Sequence, residues 1–297
     1  MVRDRSFSSI MLDIIVHTTL IILLVITLFP VLHVAAVSLS SSKAIDRGLV
    51  SIFPVDFSLE AYRILWKSGR VPKSFVNSVI YTSVGTVVNM LVTMLMAYPL
   101  SKKKLPLRRF YTTLIVFTMF FSGGLIPTFL VVKGLGLYNT MWALILPGAI
   151  STMNLIIMRT FFQSIPMELE ESAFLDGAND IVVFYRIILP LSKASIATIA
   201  MFYAVGHWNS WFNALVYLKD SEKYPMQLIL RDIIIQSQMS RELAEQGSTE
   251  AYELINTVSV EGIKYATLFF SIIPMLIIYP FVQKYFVKGV MIGSLKG

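Results

Sequence analysis

The feature that most limits how this chain can fold is a run from Ile14 to Val37 that contains no lysine, arginine, aspartate or glutamate. A bilayer core offers no water to the backbone, so a segment that crosses it must bond its own N–H and C=O groups, and about 20 helical residues suffice. Further apolar runs follow, and apolar residues make up 56% of the 297 against 14% charged. We therefore predict an all-α polytopic membrane protein and exclude a soluble globular domain.

The order of apolar and basic stretches gives a topology. Between the second and third apolar runs, the loop from Ser101 to Arg109 contains five basic residues, and such loops remain in the cytoplasm. Alternation then places both termini in the cytoplasm, and residues 38–73 and 219–263 outside. The net charge of +7 is typical of cytoplasmic loops facing anionic lipid. The predicted transmembrane helices are six, approximately residues 14–37, 74–100, 110–132, 141–158, 191–212 and 265–282.

Small and polar residues mark the spans expected to be interior or interrupted. Such residues let helices approach closely and form hydrogen bonds between them, and the second span carries several, including Thr82, Gly85 and Asn89. We expect this span to be interior. Glycine and proline within the third and fourth spans predict interruptions, at positions Gly123, Gly124, Pro127, Pro147 and Gly148.

The segment Ser164 to Pro190 is the long amphipathic stretch between two predicted spans. Ser164 and Pro166 are expected to open a helix whose first turns are acidic, which the helix dipole favours. Gly177 stands where a left-handed turn would end that helix, and Asn179 can cap a second helix closed by Pro190. The sequence predicts a helix, a sharp turn and a second helix.

The same segment carries a family resemblance. Glu171, Ala173 and Gly177, followed after nine residues by Ile187, Leu189 and Pro190, match the pattern E-A-A-x-x-x-G-x(9)-I-x-L-P, with Ser172 in place of the alanine that follows the glutamate. The chain thus resembles the membrane subunits of bacterial ABC importers. The resemblance implies a type I ABC importer permease fold in one transmembrane domain, 1–297. It also implies that residues 164–190, here called the coupling segment, insert into a cleft of an ATPase.

For individual residues, the resemblance implies that Gly177 forms the turn of the coupling segment. It further implies that Glu171, Ala173 and Phe174 contact the ATPase. An ordinary cytoplasmic helical hairpin is the alternative interpretation of these residues.

Two further stretches resemble the carbohydrate-uptake, or maltose-type, branch of these permeases. They are SGGLIPTFLVVKGLGLYNTMWALILPG, Ser122 to Gly148, and the ending KGVMIGSLKG, Lys288 to Gly297. The resemblance implies an oligosaccharide importer in the cell membrane of a bacterium. Its implied partners are a second, related permease in a heterodimer, a dimeric ATPase that binds ATP and Mg, and an extracytoplasmic solute-binding protein. The acidic segment 219–263 and residues 38–73 are candidate docking sites for that binding protein. A solvated loop is the alternative interpretation of segment 219–263.

An aromatic cluster lies at the end of the fifth predicted span. Tryptophan rings can stack on sugar rings while amides bond hydroxyl groups, which favours a substrate contact near Trp208, Asn209, Trp211 and Asn213. Asn89 in the second span is a further candidate for the substrate pathway. An aromatic belt at the membrane interface explains the tryptophans equally well.

Several functions are disfavoured by what the sequence does not contain. It has no G-x-x-x-x-G-K-[ST] run to hold ATP phosphates, no G-x-S-x-G elbow and no H-E-x-x-H motif, so we expect neither an enzyme nor a bound cofactor or metal. Cysteine is absent, which excludes disulfides and thiolate ligands. Nucleic-acid binding is not expected. A secondary transporter would bury ionisable residues in its spans, and none is clearly there, so this alternative and a passive channel are less favoured.

Overall fold

The computed structural model describes residues 7–246 and 260–294, and all regular secondary structure within these ranges is helical. The described residues form two compact units. One consists of the residues up to Pro72 together with Leu230–Ile273, and the other of Lys73–Ile229 together with the residues from Pro274 onward. The all-α fold class is thereby confirmed for the described part of the chain.

In the first unit, helix α1 (Phe7–Ser38) is continuous even though it contains Pro30. Two short helices follow, α2 (Ser42–Asp46) and α3 (Glu60–Lys67). Part of the predicted acidic loop, residues 247–259, lies outside the described residues.

Side-chain hydrogen bonds tie the loop of the first unit to α1. The Tyr62 hydroxyl donates to Ser38 Oγ at 2.8 Å, and burial raises the pKa of Tyr62, so the proton remains on the phenol. His33 Nδ1 donates to the Ser51 carbonyl oxygen at 2.7 Å, and its ring packs edge-on against Tyr265. His33 therefore serves a structural contact within this unit.

The remaining helices, in chain order, are α4 (Arg70–Ser101), α5 (Arg108–Phe120), α6 (Leu125–Gly134), α7 (Trp142–Ile145), α8 (Thr152–Gln163), α9 (Met167–Leu175), α10 (Asp180–Val183), α11 (Leu189–Leu191), α12 (Lys193–Trp208), α13 (Phe212–Tyr217), α14 (Met226–Glu245) and α15 (Val260–Ser294). Short 3₁₀ turns follow α7 and α13, and a π-helical turn, Phe184–Ile188, joins α10 to α11.

Three of the described helices are each long and apolar enough to cross a membrane: α1, α4, and α15 as far as Pro280. Three further pairs pass the same criterion only together, because each pair bends sharply at a break. The bends are 114° between α5 and α6, 56° between α7 and α8, and 81° between α11 and α12. By length and composition, three helices of the described chain could cross a membrane, or up to six if each bent pair is one span.

The first two breaks lie where glycine and proline predict them. Gly124 adopts φ +82°, a left-handed conformation that side chains rarely tolerate, directly before α6. Pro147 lies in the 3₁₀ turn that separates α7 from α8. The break at Ser192 lies two residues after Pro190, where the sequence predicts that a helix ends.

Two predicted helix boundaries differ from the structure. Helix α12 ends at Trp208 and not at Phe212, since the chain turns through Asn209–Trp211 before α13. Helix α15 begins at Val260 and reaches Ser294, whereas the sequence predicts a span over 265–282 and then a flexible tail. Neighbouring helices and side chains can satisfy the backbone groups that a proline frees, which allows two prolines inside α15.

The second unit has its largest apolar core where α4, α8, α12 and the end of the coupling segment meet. Leu155, Met158, Ile188 and Ile199 are among its fully buried side chains. In the most apolar 18-residue window of each helix, 28% of the residues of α4 are buried, against 11% of those of α1. This difference agrees with the predicted interior position of α4.

At the other end of α4, Asn139 organises two loops of the second unit. Its side-chain oxygen accepts hydrogen bonds from the backbone N–H groups of Lys219 and Asp220, both at 3.1 Å. Its own N–H donates to the Tyr217 carbonyl oxygen at 2.8 Å, and Lys223 Nζ donates to its carbonyl oxygen at 2.9 Å. Asparagine tolerates the φ of +61° that this position requires.

We expect Asn139→Ala to destabilise the second unit by about 2 to 4 kcal/mol, because two backbone donors lose their acceptor and alanine is strained at positive φ. Asn139→Asp retains both the acceptor and the tolerance of positive φ, and serves as the control. Thermal unfolding of the purified protein in detergent measures both variants. Equal midpoints for the two would contradict the role of the side chain.

Candidate functional site

The coupling segment folds as helix, turn and helix, as predicted. Helix α9 ends at Leu175, and Gly177 follows in the left-handed region with φ +81°. The Asn179 side chain accepts a hydrogen bond from the Val182 N–H at 2.9 Å and so caps α10. A Cβ at Gly177 would meet no atom within 4 Å, so backbone conformation and not space calls for glycine.

The turn has the hydrogen bonds of a Schellman motif. The Ala178 N–H donates to the Ala173 carbonyl oxygen at 2.9 Å, and the Gly177 N–H donates to that of Phe174 at 3.0 Å. Ala173 and Ala178 both pack against the main core of the second unit. The end of α9 is thus fixed to the helices that the coupling segment connects.

One detail of the predicted segment is wrong. Ser164 ends α8, donating its hydroxyl to the Phe161 carbonyl oxygen, and does not open the next helix. The second helix ends at Leu191, one residue after Pro190, close to where the sequence predicts. A π-helical turn precedes this end, and such turns are rare and often lie at functional sites.

The side chains of the coupling segment that are expected to contact a partner differ in their exposure, and two of them, Glu171 and Phe174, line the cleft beside the loop 101–108. Glu171 is exposed, Phe174 is 43% exposed and Leu175 is 89% exposed. Ala173, in contrast, is partly buried against the core. The structure therefore separates the predicted contact residues into an exposed set and a supporting alanine, and their contact with an ATPase stays a prediction.

An ion pair holds α9 against the loop that follows α4. Glu170, only 9% exposed, binds Lys102 of the loop after α4. The Lys102 ammonium also lies 4.2 Å from the centre of the Tyr98 ring, and that ring packs against Phe184 with centroids 4.9 Å apart. One basic residue of the loop 101–109 is thereby committed to holding the coupling segment.

Beside this ion pair lies a cleft of about 1150 Å³. The loop 101–108 and the ends of α4 and α8 form one side, and α9 and α10 form the other. Its lining combines aromatic residues such as Tyr98 and Phe162 with both basic and acidic side chains. It lacks the arrangement of a catalytic site, and among the described residues no cluster of histidine, aspartate and glutamate could hold a metal ion.

The predicted aromatic cluster does not form a single surface. Trp208 is 4% exposed and its ring packs edge-on against Phe75 with centroids 5.8 Å apart. Trp211, beyond the end of α12, is 38% exposed. Asn209 and Asn213 are exposed, and Asn209 Nδ2 donates to the Val205 carbonyl oxygen at 3.0 Å. Substrate contact by these residues stays a prediction.

Asn89 is buried within the second unit at 2% exposure, and its Nδ2 donates to the Gly148 carbonyl oxygen at 3.2 Å. This bond satisfies a backbone group at the break between α7 and α8. One turn further along α4, Thr93 Oγ1 lies 2.7 Å from the Tyr203 hydroxyl, which accepts a hydrogen bond from the Ser151 N–H at 3.0 Å. Sequence reasoning missed this network of Thr93, Tyr203 and Ser151.

The ion pair of Lys102 and Glu170 yields a stability prediction. Glu170→Gln leaves the Lys102 ammonium partly buried without its counter-charge, so we expect a loss of about 1 to 3 kcal/mol, measured by thermal unfolding in detergent. Lys103→Gln, at an exposed neighbouring position, is the control and should change little. A Glu170→Gln variant as stable as the control would show that the pair contributes nothing.

The conformation of Gly177 yields a second prediction. Gly177→Val places a β-branched residue at φ +81° and should cost about 1 to 2 kcal/mol of stability, with increased proteolysis at the turn. Gly134→Val is the matched control, since Gly134 also has open space around it but does not have a positive φ. If both variants are cut equally slowly, the turn does not require glycine.

Comparison with known proteins identifies a family and several relatives to which this chain is similar. Residues 73–292 match the family described as binding-protein-dependent transport system inner membrane component. A polygalacturonan/rhamnogalacturonan transport system permease protein, YtcP of Bacillus subtilis, is 45% identical over 286 residues, which are 96% of this chain and 98% of that protein. Protein LplC of the same organism is 47% identical over 273 residues, 92% of this chain and 90% of its own.

A solved structure agrees with the sequence relatives. One chain in the crystal structure of a bacterial ABC transporter involved in the import of the acidic polysaccharide alginate matches with a TM-score of 0.85 and 34% identity. The match covers 95% of this chain and 99% of that one. The predicted family is thereby confirmed: the chain belongs to the binding-protein-dependent transport system inner membrane components, the membrane-spanning permease subunits of ABC importers.

Proposed function

We propose that this chain forms one half of the membrane pathway of an ATP-driven importer of oligosaccharides. The observation that carries the proposal is the coupling segment, a helix and turn with exposed Glu171, Phe174 and Leu175 on a permease fold. These side chains offer an ATPase apolar contacts beside an acidic one. ATP and Mg would be bound by that ATPase and not by this chain.

The proposed orientation is supported by the contact between the basic loop and the coupling segment. Lys102 belongs to the loop with five positive charges, and it binds Glu170 of α9. The two must therefore lie on the same side of the membrane, and basic loops favour the cytoplasm. Six spans with both termini in the cytoplasm follow if each bent helix pair crosses once.

The proposed cycle uses this geometry. ATP binding closes the ATPase dimer, and the two coupling segments of the permease pair approach each other. Because the Schellman turn and the ion pair fix α9 to the core of the second unit, the displacement reaches the spans. The pathway then opens outward to receive sugar from the binding protein, and hydrolysis resets it. The second half would be a related but different permease.

For the substrate we propose oligosaccharides that contain uronic acids. The relative YtcP is named for polygalacturonan and rhamnogalacturonan, and the structural match belongs to an importer of an acidic polysaccharide. More distant relatives are named for neutral sugars, such as an arabinooligosaccharide permease of Bacillus subtilis at 27% identity. A neutral oligosaccharide is therefore the second candidate.

The proposal is tested by purifying the tagged chain from its native cell in mild detergent. We expect an ATPase and a second permease to co-purify, and hydrolysis to rise when a binding protein and an oligogalacturonate are added but not with a neutral oligosaccharide of equal length. Recovery of the chain alone in repeated preparations would instead favour a secondary transporter or a channel.

A matched pair of variants locates the ATPase contact. Leu175→Asp places a charge on the most exposed apolar side chain of the coupling segment, so we expect the ATPase to be lost from the purified complex. Leu135→Asp is the control, because Leu135 is also an exposed leucine, at 68%, and follows the end of α6. Retention of the ATPase by both variants would argue against docking at Leu175.

A further inference from the structure

The seam between α4 and α12 contains polar atoms whose hydrogen bonds are not made. On α4, Thr82, Thr86 and Asn89 are spaced four and three residues apart and so share one face of the helix. Within the described residues, both threonine hydroxyls and Asn89 Oδ1 are buried and have no hydrogen-bond partner. A row of such atoms on one helix face is unusual in a protein interior.

His207 reaches the same stripe from α12. Its Nε2 is buried, makes no well-aligned hydrogen bond within the described residues, and lies against the backbone of Gly85. A Cβ built on Gly85 would lie 2.5 Å from this nitrogen. The imidazole ring therefore contacts the backbone of α4 at a position where only glycine leaves room for it. Because Gly85 lies between Thr82 and Asn89, the ring belongs to the same seam. We call Thr82, Thr86, Asn89 and His207 the polar seam.

Directly beyond the polar seam, one pair of side chains between the same two helices is hydrogen-bonded. Thr93 Oγ1 lies 2.7 Å from the Tyr203 hydroxyl, which also accepts from the Ser151 N–H at 3.0 Å. Both Thr93 and Tyr203 are buried. The contact of α4 with α12 therefore has a satisfied anchor at one end and an unsatisfied half at the other.

Helix α12 is placed to move on such an anchor. It is bounded by a bend of 81° at Ser192 and by the turn Asn209–Trp211. Through α11 and the π-helical turn it continues directly from the coupling segment. Breaks at both ends of a helix are where a membrane protein concentrates its changes of shape.

We propose that the polar seam is a binding site for carbohydrate hydroxyl groups, closed in this structure and opened when α12 turns away from α4 about the Thr93–Tyr203 anchor. Leaving buried polar atoms unbonded costs stability, and valine or leucine would close the same seam without that cost. The presence of these polar residues is explained if they form hydrogen bonds in another conformation of the protein. Hydroxyl, amide and neutral imidazole groups both donate and accept hydrogen bonds, as sugar hydroxyls do.

This inference rests on the proposed function, and cysteine accessibility tests it in the complete transporter. The chain contains no cysteine, so Thr86→Cys introduces its single thiol. We expect a small maleimide to label it during ATP-driven turnover and oligogalacturonate to protect it. Ala97→Cys is the matched control, since Ala97 lies beyond the anchor on α4 at 0% exposure and should stay unlabelled. Equal protection of both thiols throughout turnover would overturn the opening of the seam.

A second pair of variants separates sugar binding from hydration. Thr86→Val removes a hydroxyl that is unbonded here, so thermal stability should be kept while the apparent KM for oligogalacturonate rises roughly five- to tenfold. Ser83→Ala, which removes an exposed hydroxyl from the same helix, should leave the KM unchanged. An unchanged KM for Thr86→Val, even with a reactive thiol at position 86, would mean a hydrated seam and would overturn the sugar site.

Different results would contradict the proposed function and the polar seam. If the unmodified complex shows no uptake of any oligosaccharide, the proposed function is wrong. If it transports oligogalacturonate while Thr86→Val and Thr86→Cys behave like their controls, only the polar seam is wrong.

Discussion

A helix that breaks inside a membrane leaves backbone N–H and C=O groups that water cannot reach, and this chain breaks within three pairs of apolar helices. Protein side chains must therefore close these breaks. Between α7 and α8, Asn89 donates to the Gly148 carbonyl oxygen, and the Tyr203 hydroxyl accepts from the Ser151 N–H. Both side chains come from other helices, so α4 and α12 are tied to the break by the need to satisfy it.

The polar residues of α4 also satisfy backbone groups of a loop near the start of the helix. Ser78 Oγ accepts from the Met226 N–H at 2.8 Å, and Asn77 Nδ2 donates to the Tyr224 carbonyl oxygen at 3.2 Å. At its other end, the loop that follows supplies Lys102 to Glu170. One helix thus connects the loops near its start with the coupling segment near its end, through hydrogen bonds and an ion pair.

Local features of the site could be predicted, and contacts between distant residues could not. The left-handed turn at Gly177 and the cap at Asn179 follow from residue type and spacing, because turn and cap chemistry involves only neighbours in the chain. The ion pair between Lys102 and Glu170 joins residues 68 positions apart. In the sequence both appear as members of larger charge clusters, and only the packing of α9 against α4 selects these two.

The tryptophans illustrate the same limit. Their closeness in sequence predicts a single aromatic surface, which requires that the helix continue through them. The break at Asn209–Trp211 directs Trp208 into the unit, against Phe75, and leaves Trp211 partly exposed. No proline marks this break, and only a short polar Asn-Ser pair interrupts the apolar pattern. A signal of this kind is too weak to separate from a polar residue on a continuous helix.

The position of helix α12 therefore cannot be predicted from any single sequence motif. At its start the helix follows a segment whose turn is fixed by backbone geometry at Gly177, and at its end the chain turns through Asn209–Trp211. Its face toward α4 carries a hydrogen bond at Tyr203, whereas His207, one turn later, makes no well-aligned one. A bonded pair at every turn would stabilise this contact more, because each unmatched buried atom lowers stability. The difference along α12 agrees with the proposed movement, in which the Tyr203 end stays in place while the His207 end leaves α4.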